Sequence, residues 1–247
     1  MEIIRVDEKN LDKEHLCCAM ADKRCTQSKR DWVRARLEEG YVFYKLDVPG
    51  KVFLEYTPAE NAWIPLDAPG YLFLDCLWVA GKYHGQGWGK KLLERAREDA
   101  RAQGKRGLVA LSTAKKRAFL SDPGFWEHRG FRQADAMEPD YVLYYLPLEA
   151  DAPVPKLRRG SREVPKEGVA IYYSDHCPYT GKYVPLLEQV AAERGVPFQA
   201  VRFQRKEEAQ QAPNPFTTYA LFYDGRFVTN EIFSGKKFAS FLDEKGK

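Results

Sequence analysis

An apolar run, Tyr71 to Val79, passes through Gly81, Gly85, Gly87 and Gly89 into a stretch, Gly87 to Gln103, whose Leu92, Leu93 and Ala96 fall on one helical face. This constrains the fold more than any other feature of the chain. A strand feeding a helix through alternate glycines lets backbone amides approach an anion closely, and the helix N-terminus adds its positive dipole. Lys82, Lys90 and Lys91 add charge, so the segment reads as a phosphate or pyrophosphate cradle. A P-loop would need Ser or Thr after Gly-Lys, where Lys91 stands, and a Rossmann fingerprint would need glycine at Lys90.

Around this loop the expected order is a strand at Ile3–Val6, a helical stretch from about Asn10 to Glu39, and strands at Tyr41–Leu46 and Val52–Tyr56. After the loop come a strand at Gly107–Ser112, a short helix at Phe125–Arg129 and a strand at Tyr141–Leu146. Residues 149–168 carry Pro153, Pro155, Pro165, Gly160 and Gly168, which break helix and sheet alike, and read as a linker. Beyond it the order is β-α-β, then β-β-α: Val169–Tyr173, a helix at Thr180–Arg194, Phe198–Phe203, a hairpin around Asp224-Gly225, and a last helix from about Lys236. The chain of 247 residues is long enough for two cores. The reading is therefore residues 1–150, a linker at 151–167, and a smaller unit at 168–247.

A net charge of +4 favours an anionic ligand but lacks the dense basic stripe of a nucleic-acid binder. The N-terminus has no signal-peptide core, no run spans a bilayer, and the five cysteines are odd in number. These features point to a cytoplasmic chain without membrane or nucleic-acid partners. His15, Cys17, Cys18 and Cys25 match no zinc spacing, so no metal is expected.

The loop resembles the acyl-CoA loop of GNAT acyltransferases, Arg/Gln-x-x-Gly-x-Gly/Ala, with His84 at the first position and Gly87 and Gly89 matching. Phe125-Trp126-Glu127-His128-Arg129-Gly130-Phe131 is similar to that family's Phe-Tyr-x-x-x-Gly-Phe segment. The resemblance implies an α/β (α+β) fold with a mixed sheet splayed open at Tyr71–Val79 and Gly107–Ser112, and helices on both faces. It implies acetyl-CoA as co-substrate, with pantetheine on the backbone of Leu77 and Val79. The pyrophosphate would rest on amides of Gly85, Gln86, Gly87, Trp88, Gly89 and Lys90, with His84 beside them. It implies acetyl transfer to a primary amine of a small molecule or a protein by direct attack.

For the base, Asp75 shares parity with Leu77 and Val79 and is expected on their face, with Glu55 a weaker candidate. Cys76 is expected to face the other way. Trp126 stands where many family members place an acidic tyrosine, leaving Ser121, Tyr141 or solvent as the candidate acid. In the second unit Cys177, beside His176 at the start of a helix, is a candidate reactive thiol. That unit resembles a thioredoxin or glutaredoxin fold, with Thr180 where a second cysteine would stand and Thr217 at the position of the usual cis-proline. The whole arrangement resembles the YoaP group of GNAT proteins. Two other readings stay open: a thiol-dependent redox or thiol-transfer protein using Cys177, and a non-catalytic acyl-CoA sensor.

Overall fold

The structure is a computed structural model and describes residues 1–17 and 23–247. The first part of the chain forms β1 (Ile3–Val6), α1 (Lys23–Arg34), β2 (Val42–Leu46), β3 (Val52–Pro58), β4 (Leu66–Asp67) and β5 (Tyr71–Val79). It continues through α2 (Trp88–Ala102), β6 (Gly107–Thr113), α3 (Pro123–Glu127), β7 (Arg132–Met137), β8 (Tyr141–Pro147) and β9 (Lys156–Leu157). Then follow β10 (Val169–Tyr173), α4 (Pro178–Glu193), β11 (Phe198–Arg202), α5 (Lys206–Ala209), β12 (Tyr219–Tyr223), β13 (Arg226–Thr229) and α6 (Gly235–Glu244).

A seven-stranded mixed sheet runs in the order β1-β2-β3-β5-β6-β8-β7. Only β5 and β6 are parallel, and they pair over a short distance, Tyr71–Leu74 against Gly107–Ala110. β6 goes on pairing with β8 as far as Thr113, while β5 stays with β3 as far as Val79. The far halves of β5 and β6 therefore diverge, which is the splay expected from the sequence. Leu92, Leu93, Ala96 and Ala100 of α2 bury one face of this sheet against Leu54, Leu72, Leu74 and Leu108.

The smaller sheet has the order β11-β10-β12-β13, with β10 parallel to β11 and antiparallel to β12. Its central strands are apolar at every position, so both faces need cover. Val169, Ile171, Tyr219 and Leu221 pack under α4 and α6 with Leu187 and Phe238. Ala170, Tyr172, Ala220 and Phe222 point the opposite way, into a core shared with Trp32, Phe43, Phe53 and Trp63 of the larger unit. Helix α5 spans just Lys206–Ala209, so the larger unit covers most of the face that a longer helix would otherwise hide.

Several elements depart from the sequence reading. The helical stretch expected over Asn10–Glu39 is confined, among the described residues, to α1 and a 3-10 turn at Leu37–Glu39. Ahead of it, Asp7 accepts from the amides of Lys9 and Asn10, while Asn10 accepts from that of Asp7. Such local side-chain bonds favour turns over helix. The segment between the units is fastened rather than loose: β9 pairs with β4, and the Arg162 amide donates to the Gln211 carbonyl. Gly160 lies so close that an added Cβ would stand 1.8 Å from the Ala212 carbonyl oxygen.

Phe222 is buried between the two sheets. Replacing it with alanine should cost about 3–5 kcal/mol through lost burial and the cavity left behind. Urea unfolding followed by tryptophan fluorescence would measure this, since Trp32 and Trp63 belong to the same core.

Candidate functional site

The loop after β5 behaves as the glycine spacing requires. Gly81, Gly85 and Gly87 have φ of 58°, 74° and 76°, and a Cβ on any of them would meet nothing within 4 Å. They are needed for backbone conformation, and the space before them is open. Gly89 serves differently, because a Cβ there would come within 3.2 Å of the Phe125 ring.

Among the described residues the amides of Gly85 to Lys90 donate to no turn or cap acceptor, and the first to do so is Lys91, to the Gly87 carbonyl. Free amides at the start of a 15-residue helix form an anion cradle, so the residues present fit a nucleotide pyrophosphate. The side chains of His84 and Gln86 brace the loop itself. The His84 ring bonds the Val79 carbonyl, and Gln86 donates to the Lys82 carbonyl at 2.6 Å. The Ala80 amide donates to Lys51 on the β3 side. Backbone groups alternate along a strand, so the amides of Leu77 and Val79 face the opened side.

The register of β5 holds the largest correction. Glu55 of β3 lies opposite Cys76, while the next residue, Tyr56, lies opposite Leu74. Asp75 is thus an extra residue in a β-bulge, and the bulge inverts the alternation. Leu77 and Val79 pack on the α2 side, whereas Cys76 packs with the core shared by the two units and Asp75 lies beside His176. Asp75 therefore does not share a face with Leu77 and Val79, and Cys76 does not oppose it.

Asp75 and Glu55 are nevertheless brought together, in a buried polar cluster at the seam between the units. Glu55 Oε2 accepts from Lys29 Nζ at 2.5 Å, from the Tyr41 hydroxyl, and from His176 Nε2 at 3.0 Å. Cys17 Sγ approaches its other oxygen at 3.7 Å. Asp75 Oδ2 stands 3.5 Å from the same His176 nitrogen, whose ring partner Nδ1 is 3.2 Å from the Thr218 hydroxyl. Burial alone would raise the Glu55 carboxyl, but Lys29 and His176 hold it down to about 2. Burial pushes Asp75 above its ordinary range, with His176 opposing in part. Glu55 is held as a fixed charge by its partners, whereas burial raises the proton affinity of Asp75.

The seam has aromatic walls. Trp32 and Trp63 meet edge to face at 4.2 Å, and the Arg36 guanidinium lies 3.5 Å from the Trp32 ring. Among the described residues, Trp32 Nε1, Trp63 Nε1 and Arg36 Nε are buried and have no acceptor.

The other candidates lie elsewhere. The Ser121 carbonyl accepts from the Ser112 hydroxyl at 2.6 Å, which ties its loop to the diverging half of β6, away from the acidic cluster. Trp126 is 1% exposed in the core under α2. Tyr141 is buried near Phe227, and burial pushes its hydroxyl upward. Cys177 caps α4 and packs toward the core of its own unit, while its neighbour His176 turns into the seam. Thr217 donates to the Trp63 carbonyl. Among the described residues no group of three His, Cys, Asp or Glu is placed to hold a metal; Cys18 lies outside the described residues.

Lys29, Tyr41, His176 and Thr218 were not among the sequence candidates. A signal existed for one of them: Lys29, Trp32, Val33 and Arg36 recur at helical spacing, which puts an ammonium on the buried face of α1. No local pattern links Glu55 to His176.

Residues 39–133 match the model of the acetyltransferase (GNAT) domain, and residues 197–239 match the YoaP-like model. Over 245 residues the chain is 39% identical to a protein of Bacillus subtilis (strain 168) described as "Uncharacterized N-acetyltransferase YoaP". The alignment covers 97% of this chain and 98% of that one. The chain belongs to the YoaP family of GNAT N-acetyltransferases. Among solved structures, it is similar to a GNAT family acetyltransferase of Brucella melitensis in complex with acetyl-CoA, at 16% identity and TM-score 0.40, over 65% of this chain and 96% of that one. It is also similar to the ribosomal-protein-S18-alanine N-acetyltransferase of Escherichia coli, at 18% identity and TM-score 0.40, over 60% and 94%. Among the described residues of this YoaP-family chain no helix is long and apolar enough to cross a membrane.

The ionised state of Glu55 makes a pH prediction. Its folded pKa of about 2 lies below the ordinary 4.5, so it stabilises the fold fully above 4.5, and that contribution is lost as pH falls toward 2. The loss should be roughly 3 kcal/mol. Asp75, raised by burial, acts in the opposite sense, so the comparison is between wild type and Glu55→Gln. Urea midpoints should fall steeply between pH 4.5 and 2 in the wild type and more gently in the variant; parallel curves would refute the assignment.

Proposed function

We propose that residues 1–150 transfer an acetyl group from acetyl-CoA to a primary amine by direct attack, and that residues 168–247 close the acceptor side. The observation that carries the reading is the parting of β5 from β6 immediately before a loop whose amides, Gly85 to Lys90, are free to hold an anion. Pyrophosphate would sit on those amides and pantetheine along Leu77 and Val79. Bound there, acetyl-CoA supplies the activated carbonyl.

The residues of the chain then have separate tasks. The Val79 amide, facing the opened side, would polarise the thioester carbonyl as negative charge grows on its oxygen. The acceptor arrives as an ammonium and yields one proton to Asp75, directly or through a water. Its nitrogen then forms the C–N bond while the C–S bond breaks, the electron pair leaving on sulfur. The second nitrogen-bound proton departs from the adduct. One of the two released protons ends on the coenzyme A thiolate and the other goes to solvent. Ser121, whose loop is tied to the diverging half of β6, would be the group to protonate the departing sulfur.

The unpartnered N–H groups of Trp32, Trp63 and Arg36 support an acceptor that carries an oxygen acceptor beside its amine. Free amino acids or a peptide N-terminus fit this better than a polyamine.

Titration calorimetry of acetyl-CoA should show micromolar-range binding to the wild type and none to the Gly87→Glu, Gly89→Glu variant. Absence of binding to the wild type would sink the reading. An acetyl-CoA turnover assay, followed as thiol release, would then compare the free amino acids and a short peptide with putrescine and spermidine. Faster turnover of the polyamines would contradict the assignment of the seam donors.

A further inference from the structure

Within the reading of the chain as an amine acetyltransferase, we infer that His176 of the C-terminal unit is the positioning residue that sets the proton-accepting state of Asp75, so that the acyl-transfer centre is complete only at the seam between the two units.

The geometry assigns each partner a role. His176 is 6% exposed and reaches 121 positions back along the chain to place Nε2 at 3.0 Å from Glu55 and 3.5 Å from Asp75. Glu55 is held ionised by Lys29 and Tyr41, so it serves as a fixed negative anchor for the imidazole. On the other side of the ring stands the Thr218 hydroxyl, which both donates and accepts. Neutral His176 uses Nε2–H toward the carboxylates and accepts from Thr218 at Nδ1. Charged His176 donates at both nitrogens, and the hydroxyl turns to accept. Both protonation states are satisfied in place by the same two partners.

The surrounding charges leave this pair as the adjustable one. On α1, Lys29 compensates Glu55; near the rim, Arg202 lies 3.4 Å from Asp175. Arg36 is stacked on Trp32, and Cys17, Tyr41 and Cys76 line the rest. With His176 neutral, Asp75 is a buried carboxylate without a full counter-charge, a state that draws an ammonium and takes its proton. With His176 charged, Asp75 is compensated and a poor acceptor. The activity should therefore show an acidic limb that depends on His176.

Adjacent Cys177 provides the control. It points into its own unit, so its removal should leave the centre intact.

The test uses the full chain as wild type, His176→Gln, His176→Gly and Cys177→Ala, with the fastest amine from the panel above. His176→Gln, which stands in for the neutral ring only, should abolish the acidic limb of the pH profile while its plateau kcat/KM stays within about tenfold of wild type, with calorimetric acetyl-CoA affinity unchanged. Added imidazole should restore the acidic limb to His176→Gly, and Cys177→Ala should keep that limb and a rate within about twofold of wild type. A His176→Gln variant that keeps the acidic limb, or one that has lost acetyl-CoA affinity, would overturn the inference.

An acceptor-free readout stands beside these. The ring resonances of His176 in the NMR spectrum at a fixed pH should be displaced in Asp75→Asn, because the carboxylate 3.5 Å from Nε2 is removed. Coincident spectra would overturn the inference whether or not any amine turns over. Failure of every amine with displaced ring resonances would instead remove the acetyltransfer reading and leave the His176–Asp75 coupling standing.

Discussion

One extra residue in a strand organises the site. The bulge at Asp75 lies where β5 leaves β6, and it reverses the alternation of everything beyond it. Before the bulge, Leu72 and Leu74 face α2; after it, Leu77 and Val79 do. Two consecutive residues at the bulge, Asp75 and Cys76, are sent to the opposite face instead. A single irregularity thus separates the cofactor side of the sheet from its acidic side while holding both within a few residues of each other. Without it, strict alternation from Leu74 would turn Cys76 toward α2 and send Leu77 and Val79 to the opposite face.

The acidic side in turn depends on the smaller unit. A carboxylate as enclosed as Glu55 would be costly without compensation, and Lys29, Tyr41 and His176 all converge on one oxygen. Two of these come from the larger unit and one from the smaller. The apolar context follows the same division, since Trp32 and Phe53 meet Tyr172 and Phe222 in one core. Packing and charge compensation therefore impose the same docked geometry, and neither unit satisfies its buried groups alone.

What was legible in the sequence was what local geometry dictates. Glycines at positive φ, a strand before them and an amphipathic helix after them leave a local trace, and the loop from Gly81 to Gly89 was found on that basis. The succession of strands and long helices along the smaller unit was readable for a similar reason, as apolar runs punctuated by turns, while the four-residue helix α5 was not. The bulge was not, because strict alternation and alternation with one insertion look alike in a run as apolar as Tyr71–Val79. Strand β7, Arg132–Met137, escaped notice because its polar residues carry no period-two signal and β8 holds it in register. The contact from His176 to Glu55 belongs to tertiary structure alone. Lys29 lay between these extremes: its spacing with Trp32 and Val33 put it on the buried face, although a lysine in a charged helix invites the opposite reading.

The fastened segment between the units has a consequence for how the seam holds. A loose linker would offer the smaller unit to its docking face at a millimolar effective concentration, and the seam would open in proportion to its own intrinsic weakness. Here β9 is laced to β4, Arg162 is tied to Gln211, and Gly160 is pressed against the turn at Ala212. The tether is consumed along the surface and little slack remains for separation. Association of the two faces becomes nearly a property of the covalent chain, so a polar seam with buried charges can persist where the same surfaces on separate molecules would dissociate.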